Sequence, residues 1–419
     1  MKKKFLLYAN YYYPEVASIA QLYTELAENL TKEFDVTVIC AIPCYTGNID
    51  KKYLERKYHD DEVNGVKIIR VRVSEFDKSN KKSRVKHILS YFFNSMSATF
   101  KVGKQDIVFS CSQPPILGGL LGVWGKWIKH AKYIYNIQDF NPEQTIATGY
   151  SKNKLVLNTM MFFDKFSCKH SDLVITVGRD LIETLKNRFP NGRCPKYALI
   201  NNWMDEKLVY PINEDNENIV SFKQKYGIQN KFIIMYSGNL GLYYDLENIL
   251  KVIEKFPSGT TSNDGREVAF VFVGEGTIKN KLVEYQKSHN MNNVYFIPYQ
   301  DKKDLIYSLN SADVHWCVNS KGIKGVSCPS KMYGIMSAGK PVLGVLEKGA
   351  EVRLIMEETN CGLVCEPNQY KDIENNIKTF LNMSNQEIKS MGLNGRYYLE
   401  KNLTKDVSIN KYIDAIKNC

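Results

Sequence analysis

The sequence predicts an α/β protein made of two Rossmann-like, doubly wound parallel-sheet domains that face each other across a ligand cleft. Three observations lead there. Short, continuous apolar runs of the kind a strand buried on both faces requires alternate with helix-length windows along the chain. The alternation occurs in two series, separated by a polar, acidic segment at 213–218. A length of 419 residues with 44% apolar content supplies two cores rather than one.

In the first series KFLLYAN (4–10) reads as a fully buried strand, and Ile19, Leu22, Tyr23, Leu26, Ala27 and Leu30 share one helical face after it. Strands follow at 35–41, 66–73, 106–110, 132–138, 172–178 and 196–201, several of them separated by longer helical windows. In the second series strands fall at 232–238, 268–274, 294–299, 312–318, 341–346 and 362–366. Helical windows lie near 245–255, 277–289, 302–310, 330–338, 350–358 and 370–381. The expected division is a first domain over 1–205, a second over 206–400 and a C-terminal helix at 401–419 that packs back on the first domain, with a hinge near 203–220. Parallel strands joined by crossovers carry ligands beyond their carboxyl ends, so two such domains place the ligand between them.

Charge is divided unevenly. Residues 1–205 hold 30 Lys and Arg against 20 Asp and Glu, a surplus of 10, whereas the remainder is nearly balanced within a total of +11. A basic first half meets either solvent or an anionic partner, such as a membrane surface, a phosphorylated substrate or nucleic acid. Nucleic acid is the weakest of these, since no basic helix or aromatic RNA-binding motif is present. The longest apolar stretch, Pro114–Gly125, has two prolines and four glycines and falls well short of the ~20 residues of a spanning helix. Nothing resembles a signal peptide. The ten cysteines include two C-x3-C pairs, Cys40/Cys44 and Cys361/Cys365, with no histidine at zinc spacing, which fits reduced, buried thiols in a cytosolic protein.

Candidate site residues cluster where strands end. Gly274-Glu275-Gly276 follows one strand and opens a helix at about Thr277, where glycine permits close backbone approach to a phosphate or ribose. Lys279 stands where a third glycine would complete G-x-G-x-x-G, so a structural turn fits equally well. Ser237-Gly238-Asn239-Leu240-Gly241 ends another strand of the same domain, and two permissive loops on one sheet edge point to a diphosphate site. Pro329 and Ser330 read as a helix start, which leaves Lys331 in a first turn that disfavours cations unless an anion is bound; a solvated lysine is the alternative. Gly334-x4-Gly339-Lys340 imitates a phosphate loop but fails, because Pro341 replaces the required Ser or Thr. In the first half, Asp139 within Asn136–Glu143 ends a strand and is suited to hold an acceptor hydroxyl or act as a base, or else to cap a turn before Pro142. Ala17 and Ser18, after YYYPE at 11–15, put a helix start at the same edge. Lys78, Lys81, Lys82, Arg84 and Lys86 lead into Ile88, Leu89, Tyr91, Phe92, Phe93 and Met96, which suits either a membrane interface or a buried helix behind a lysine loop. The six histidines are scattered, and no metal cluster stands out.

Taken together, YYYPE (11–15), AIPCYTGNI (41–49), NIQDFNPEQTIATG (136–149), LINNWMD (199–205), YSGNLGL (236–242), FVFVGEG (270–276), SADVHWCV (311–318) and CPSKMYGIMSAGKPV (328–342) resemble the GT-B glycosyltransferases of family 4. The similar branch is that of bacterial colanic-acid, O-antigen and capsule enzymes, including N-acetyl-L-fucosamine transferases. The resemblance covers nearly the whole chain. It implies a UDP-sugar donor held by Gly238, Asn239, Gly274, Glu275, Gly276, Ser330, Lys331 and Glu351. It implies an acceptor, a polyprenyl-diphosphate-linked sugar, near Glu15, Ala17, Ser18, Gln138 and Glu143, with Asp139 at the reacting centre. It further implies retention of configuration, no metal or other cofactor, and a peripheral place on the cytoplasmic membrane face reached through the basic first half. Departures are specific. The family's Glu-x7-Glu falls on Val326 and Gly334, its donor-loop Arg and Lys are replaced near Asn239 and Tyr244 or Asp245, and the glycines after YxPE are Ala17-Ser18. Lys331 therefore carries more of the diphosphate charge. The rivals are a UDP-sugar 2-epimerase-like enzyme, for which only Asp139 and Glu143 offer a carboxylate group, and a non-catalytic nucleotide-sugar or polyprenyl-phosphate binding subunit.

Overall fold

The structure, a computed structural model, describes residues 2–45, 47–77, 80–190 and 192–419. Lys78 of the basic group lies outside the described residues. The chain forms two compact units: Met1–Val177, Leu181–Ile200 and Ile409–Cys419 make the first, and Gly178–Asp180 with Asn201–Ser408 the second.

In chain order the first series runs β1 (Lys3–Ala9), α1 (Ser18–Leu30), β2 (Phe34–Ala41), β3 (Tyr58–Val63), β4 (Val66–Val71), α2 (Lys81–Thr99), β5 (Ile107–Cys111), α3 (Leu117–Lys129), β6 (Lys132–Ile137), α4 (Glu143–Ala147), α5 (Lys154–His170), β7 (Leu173–Thr176), α6 (Arg179–Arg188) and β8 (Tyr197–Leu199). Its sheet has the order β3-β4-β2-β1-β5-β6-β7-β8. Every pairing is parallel except β3 with β4. Strand order reverses between β1 and β5, the switch point beyond whose carboxyl ends doubly wound sheets take ligands. The central strands are buried along their length because helices cover both faces.

The unpredicted strand is β3. Its sequence YHDDEV is polar and mostly exposed, so it carries no apolar period. It forms because Asn64 and Gly65 take positive φ (51° and 77°), the turn that folds an antiparallel hairpin onto β4.

The second series comprises α7 (Glu217–Lys225), β9 (Lys231–Ser237), α8 (Leu246–Ile253), β10 (Glu267–Val273), α9 (Lys279–Ser288), β11 (Val294–Ile297), α10 (Leu305–Asn310), β12 (Val314–Val318), α11 (Lys331–Ser337), β13 (Val342–Val345), α12 (Glu351–Thr359), β14 (Gly362–Cys365), α13 (Tyr370–Asn382), α14 (Asn385–Asn402) and α15 (Lys405–Lys417). Its six strands are all parallel, in the order β11-β10-β9-β12-β13-β14, with the reversal between β9 and β12. Phe232, Ile234, Phe270, Phe272, Val314 and Trp316 form the centre of its largest core. α15 ends in the first unit, where Tyr412 is buried and its hydroxyl accepts from Asn136 Nδ2 at 3.2 Å. Among the described residues no helix is long and apolar enough to cross a membrane; of the apolar stretch Pro114–Gly125, residues 117–125 lie in α3, packed on β5 and β6.

Candidate functional site

In the second unit the two glycine-bearing loops lie side by side beyond β9 and β10. Gly238 N–H donates to Val273 O (2.9 Å), Leu240 N–H to Glu275 O (2.9 Å), and Ile278 N–H to Leu240 O (3.1 Å). This stitching explains the glycines. At Gly274, with φ +138°, a Cβ would lie 2.1 Å from Gly238 O, and at Gly276 it would lie 2.2 Å from Leu240 O. The sequence assigned these glycines to backbone approach toward a phosphate; in the structure they admit the neighbouring loop. α9 starts at Lys279 rather than about Thr277, without a side-chain cap. Glu275 is exposed and accepts from Lys279 Nζ at 2.6 Å, and Asn239 is exposed while its carbonyl accepts from Tyr236 Oη at 2.7 Å.

The open side of this edge is occupied by Lys331. Its Cε would meet a Cβ at Gly238 at 2.7 Å, so the lysine stem runs along the first loop. Its Nζ sits 3.6 Å from the Tyr244 ring centroid and 4.8 Å from that of Tyr236, and the two rings are 5.9 Å apart. Aromatic faces attract an ammonium group, but they replace water only in part. Desolvation is the larger influence and draws the Lys331 pKa down to about 8. Ser330 is exposed and gives α11 no side-chain cap, and α11 has only 7 residues, so the cationic character here rests on the ammonium rather than on a helix terminus. A hollow of about 190 Å³ adjoins the loop, walled by Gly241, Asp245 and Glu247 among others. Its walls include the carboxylates of Asp245 and Glu247, which disfavour a diphosphate inside it.

Glu351 is buried (3% exposed) at the start of α12. One oxygen accepts from Arg179 N (2.7 Å) and Nε (2.8 Å), the other from Asn201 Nδ2 (3.0 Å). The residue expected at the donor is thus committed to protein partners, and Arg179, which also pairs with Glu358, is the polar group it holds in place. The positions of the absent Glu-x7-Glu are both buried; a Cβ at Gly334 would stand 3.1 Å from Met204 Cε, so a glutamate there needs a different neighbour.

In the first unit Asp139 is half-buried at the carboxyl end of β6, with its N–H and that of Gln138 directed at Ser112 Oγ (3.3 and 3.1 Å). Gln138 is buried and donates to Asn136 Oδ1 at 2.8 Å, which also accepts from Tyr23 Oη at 2.7 Å. Ser112 directly follows β5 and Asp139 lies two residues beyond β6, so neighbouring strands fix the loop.

Arg188, which sequence reasoning missed, holds the rest of that loop. Its guanidinium lies 4.3 Å from the Phe140 ring centroid and donates to Asn141 O (2.8 Å) and Glu143 Oε1 (2.9 Å). It also pairs with Asp164, whose carboxyl burial nonetheless pushes above the usual carboxylate range. Glu143, expected to face an acceptor, instead ties Arg188 to α4. The available signal was a lone acid, Asp164, in an otherwise apolar and basic helix. Glu15 is similarly committed, accepting from the Cys44 and Tyr45 N–H groups (2.8 Å for the latter). Ala17 caps α1 without a side-chain bond, and Ser18 is exposed at the first turn of this 13-residue helix. His315 is buried, bonds Leu309 O at 2.8 Å and is drawn down to about 4 by desolvation. Among the described residues no group of three His, Cys, Asp or Glu side chains could hold a metal ion.

Comparison with known proteins bears on this geometry. Residues 219–397 match the family model of group 1 glycosyl transferases. That segment contains both glycine loops, Tyr236, Tyr244, Lys331 and Glu351. WbjE of Pseudomonas aeruginosa, described as a probable glycosyltransferase, is 26% identical over 362 residues, covering 82% of this chain and 83% of that protein. WcaI of Escherichia coli (strain K12), assigned to colanic acid biosynthesis as a glycosyl transferase, is 21% identical over 430 residues, covering 99% of this chain and 100% of its own. The crystal structure of Anabaena Alr3699/HepE in complex with UDP and glucose superposes with a TM-score of 0.70 at 13% identity, over 100% of both chains. The fold is therefore the GT-B fold, two parallel-sheet Rossmann-like domains.

Proposed function

We propose that the protein is a glycosyltransferase that moves a sugar from a UDP-sugar to a polyprenyl-diphosphate-linked acceptor in surface polysaccharide assembly. The observation that carries the reading is Lys331: a part-desolvated ammonium resting on two tyrosine rings beside interlocked glycine loops, inside the segment that matches group 1 glycosyl transferases. A diphosphate gives such a cation a stronger partner than a ring does. Support for UDP comes from the HepE structure, which holds UDP, and support for polysaccharide assembly from WcaI.

In this reading Lys331 and the Gly238–Gly241 loop take the diphosphate and stabilise the charge that grows on it as the bond between the anomeric carbon and the leaving oxygen breaks. Lys331 supplies that charge with no metal ion. Asp139 holds the acceptor hydroxyl and takes its proton as the hydroxyl oxygen bonds the anomeric carbon, with retention there. Glu351 and Glu143 act through Arg179 and Arg188 as positioning residues. An N-acetylated deoxysugar is the donor sugar suggested by the resemblance to N-acetyl-L-fucosamine transferases. The basic first unit brings the enzyme to the cytoplasmic face of the membrane, where such an acceptor resides.

The test is a thermal-shift panel of nucleotides and nucleotide sugars, with and without magnesium, with NAD as a control. A ligand that binds only the folded chain raises its melting temperature by mass action. UDP and one UDP-sugar are expected to stabilise it equally with and without magnesium. Stabilisation by NAD alone, or by no nucleotide, overturns the proposal.

A further inference from the structure

We propose that Lys331 is a site of N-acylation by acyl phosphates, and that this modification switches the donor edge off. The reactivity is argued from the packing of the second unit alone. The switch rests on the proposed function, in which Lys331 takes the diphosphate.

A lysine drawn into a fold ordinarily sets its ammonium against a carboxylate. In this chain Lys126 pairs with Asp172 at 2.8 Å, Lys279 with Glu275 at 2.6 Å, Lys231 with Glu267 and Lys405 with Asp205. Lys331 is half-buried too, but no carboxylate is among the groups that act on it. Its ammonium has ring faces instead, 3.6 Å from the centroid of Tyr244 and 4.8 Å from that of Tyr236. Tyr236 is buried and its hydroxyl donates to Asn239 O at 2.7 Å, which fixes that ring. The lysine stem is confined as well, since a Cβ at Gly238 would lie 2.7 Å from Lys331 Cε. From β12 the thiol of Cys317 faces the same group. Burial keeps the Tyr236 hydroxyl protonated and pushes the Cys317 thiol up to about 12, so neither supplies a counter-charge. The nitrogen therefore stands at a fixed point of the strand-end edge, short of water and without an anion.

A carboxylate would hold a lysine in its charged, unreactive form. Desolvation without one favours the neutral amine, whose lone pair is the nucleophile. The Lys331 pKa accordingly falls from 10.5 to about 8. That enlarges the neutral fraction at pH 7.5 roughly 200-fold, and the weaker nucleophile that accompanies lower basicity takes back roughly tenfold. An acyl phosphate joins an activated carbonyl to an anion that a cationic edge attracts. In the step, the ammonium first gives a proton to water. The lone pair then forms a C–N bond to the carbonyl carbon, the bond from that carbon to the bridging oxygen breaks, and phosphate leaves with a second proton from nitrogen. The product is a neutral amide, which no longer pairs with a diphosphate or rests on a ring face as a cation. Lys340 supplies a contrast. Burial lowers its pKa as well, but Asp313 acts on it, and it stands before the amino end of β13, on the sheet edge opposite the glycine loops.

The test treats the full chain with acetyl phosphate between about pH 6.5 and 9.5 and follows each lysine by peptide mass spectrometry. At about pH 7.5 Lys331 should be acylated at least roughly tenfold faster than the exposed Lys389, with a rate that levels off above about pH 8. Saturating UDP should slow Lys331 at least roughly tenfold and leave Lys340 and Lys389 as they were. Acylation to completion and Lys331→Gln, its charge-free mimic, should each lower UDP affinity about tenfold or more. Lys331→Arg keeps a charge and has no acylable amine, so treatment should not change its UDP affinity. Lys331 modified no faster than Lys389, or a Lys331 rate still climbing about tenfold per unit near pH 9, overturns the proposal. So does an equal loss of UDP affinity in treated Lys331→Arg, or bound UDP that gives Lys331 no protection. UDP binding with slow acylation of Lys331 rejects the acylation site alone, and fast acylation in a chain that UDP does not bind rejects the enzyme reading alone.

Discussion

Replacing Lys331 with methionine keeps the length and apolar stem of the side chain and removes its charge. Two consequences follow from the tyrosine-lined position, and they have opposite signs. A charge-assisted bond from an ammonium to a phosphate oxygen contributes about 1.5–3 kcal/mol, so Lys331→Met should weaken UDP binding roughly 10- to 150-fold. Stability should move the other way. The Lys331 pKa drops from 10.5 in the unfolded chain to about 8 in the folded one, which at about 1.4 kcal/mol per unit means that holding the charge costs about 3 kcal/mol at pH 7. Between about pH 8 and 10.5 the unfolded state binds more protons, so this cost is relieved as pH rises and is fully present below pH 8. Lys331→Met should therefore melt no lower than the parent at pH 7. The same pKa predicts how the parent binds UDP. The diphosphate keeps its full charge above neutrality, so affinity should be flat below pH 8 and fall about tenfold per unit above it, whereas the methionine variant should be weak and flat throughout. Isothermal titration from pH 6.5 to 9.5, with melting curves at each pH, reads both effects. Unchanged UDP affinity, or a variant that melts several degrees lower, would refute the reasoning.

Asp139→Asn should lower turnover with UDP-sugar and acceptor by at least roughly 100-fold and leave UDP affinity intact, as loss of a group at the reacting centre requires; full activity in a coupled UDP-release assay rejects that role. Gly274→Ala forces a Cβ to 2.1 Å from the Gly238 carbonyl at φ +138°, so it should cost about 1–3 kcal/mol and disturb UDP binding, whereas Glu275→Ala beside it should do neither; denaturant melts and titration check both. Arg188→Met strands Asp164 and Glu143 and should cost about 3–5 kcal/mol, with Arg188→Lys recovering part. The pKa of Asp164 is already raised in the folded state, and removing Arg188 raises it further. The unfolded chain then binds fewer protons than the folded one, so the variant should regain stability relative to the parent as pH is lowered from 7 toward 5; melting that worsens on acidification counts against this.

The sheets were legible because their strands are buried on both faces and so appear as unbroken apolar runs. β3 was not, because HDDE at its centre faces solvent, although Asn64-Gly65 marked its turn. At the site, the conflict of a lysine at a helix start was visible and singled out Lys331. Its tyrosine rings were not, since nothing in local spacing brings Tyr236 and Tyr244 to Lys331. The glycines stand at the strand ends, and their lack of Cβ serves contact between two loops, a relation between distant segments that no window along the chain contains. Arg188 escaped for the same cause. Its partners Phe140, Glu143 and Asp164 come from two other helices and a loop, and each reads locally as a surface charge or a core ring. Glu143 and Glu351, read as ligand-facing, are each paired by the fold with an arginine distant in sequence, a partner that no local window reveals.

In the proposed function Lys331 alone carries the charge for which the family resemblance leads one to expect further cations in the donor loop. In bulk water an ion pair at 4 Å gains about 1 kcal/mol; in a surrounding of effective dielectric near 20 it gains about 4. Lys331 is already stripped of much of its water, so on meeting a diphosphate it has little left to lose. Tyr244, standing near the place of an expected cation, adds no like charge to repel it. Its ring face holds the ammonium 3.6 Å from the centroid, and in the proposed function the stronger field of a diphosphate draws the ammonium away from it. A second cation in place of Tyr244 would add attraction for the donor but would lower the Lys331 pKa further and empty the site of charge at a lower pH. On this argument the aromatic substitution is a different solution to the same electrostatic requirement, and Tyr244→Lys should not improve UDP binding in proportion to the charge it adds.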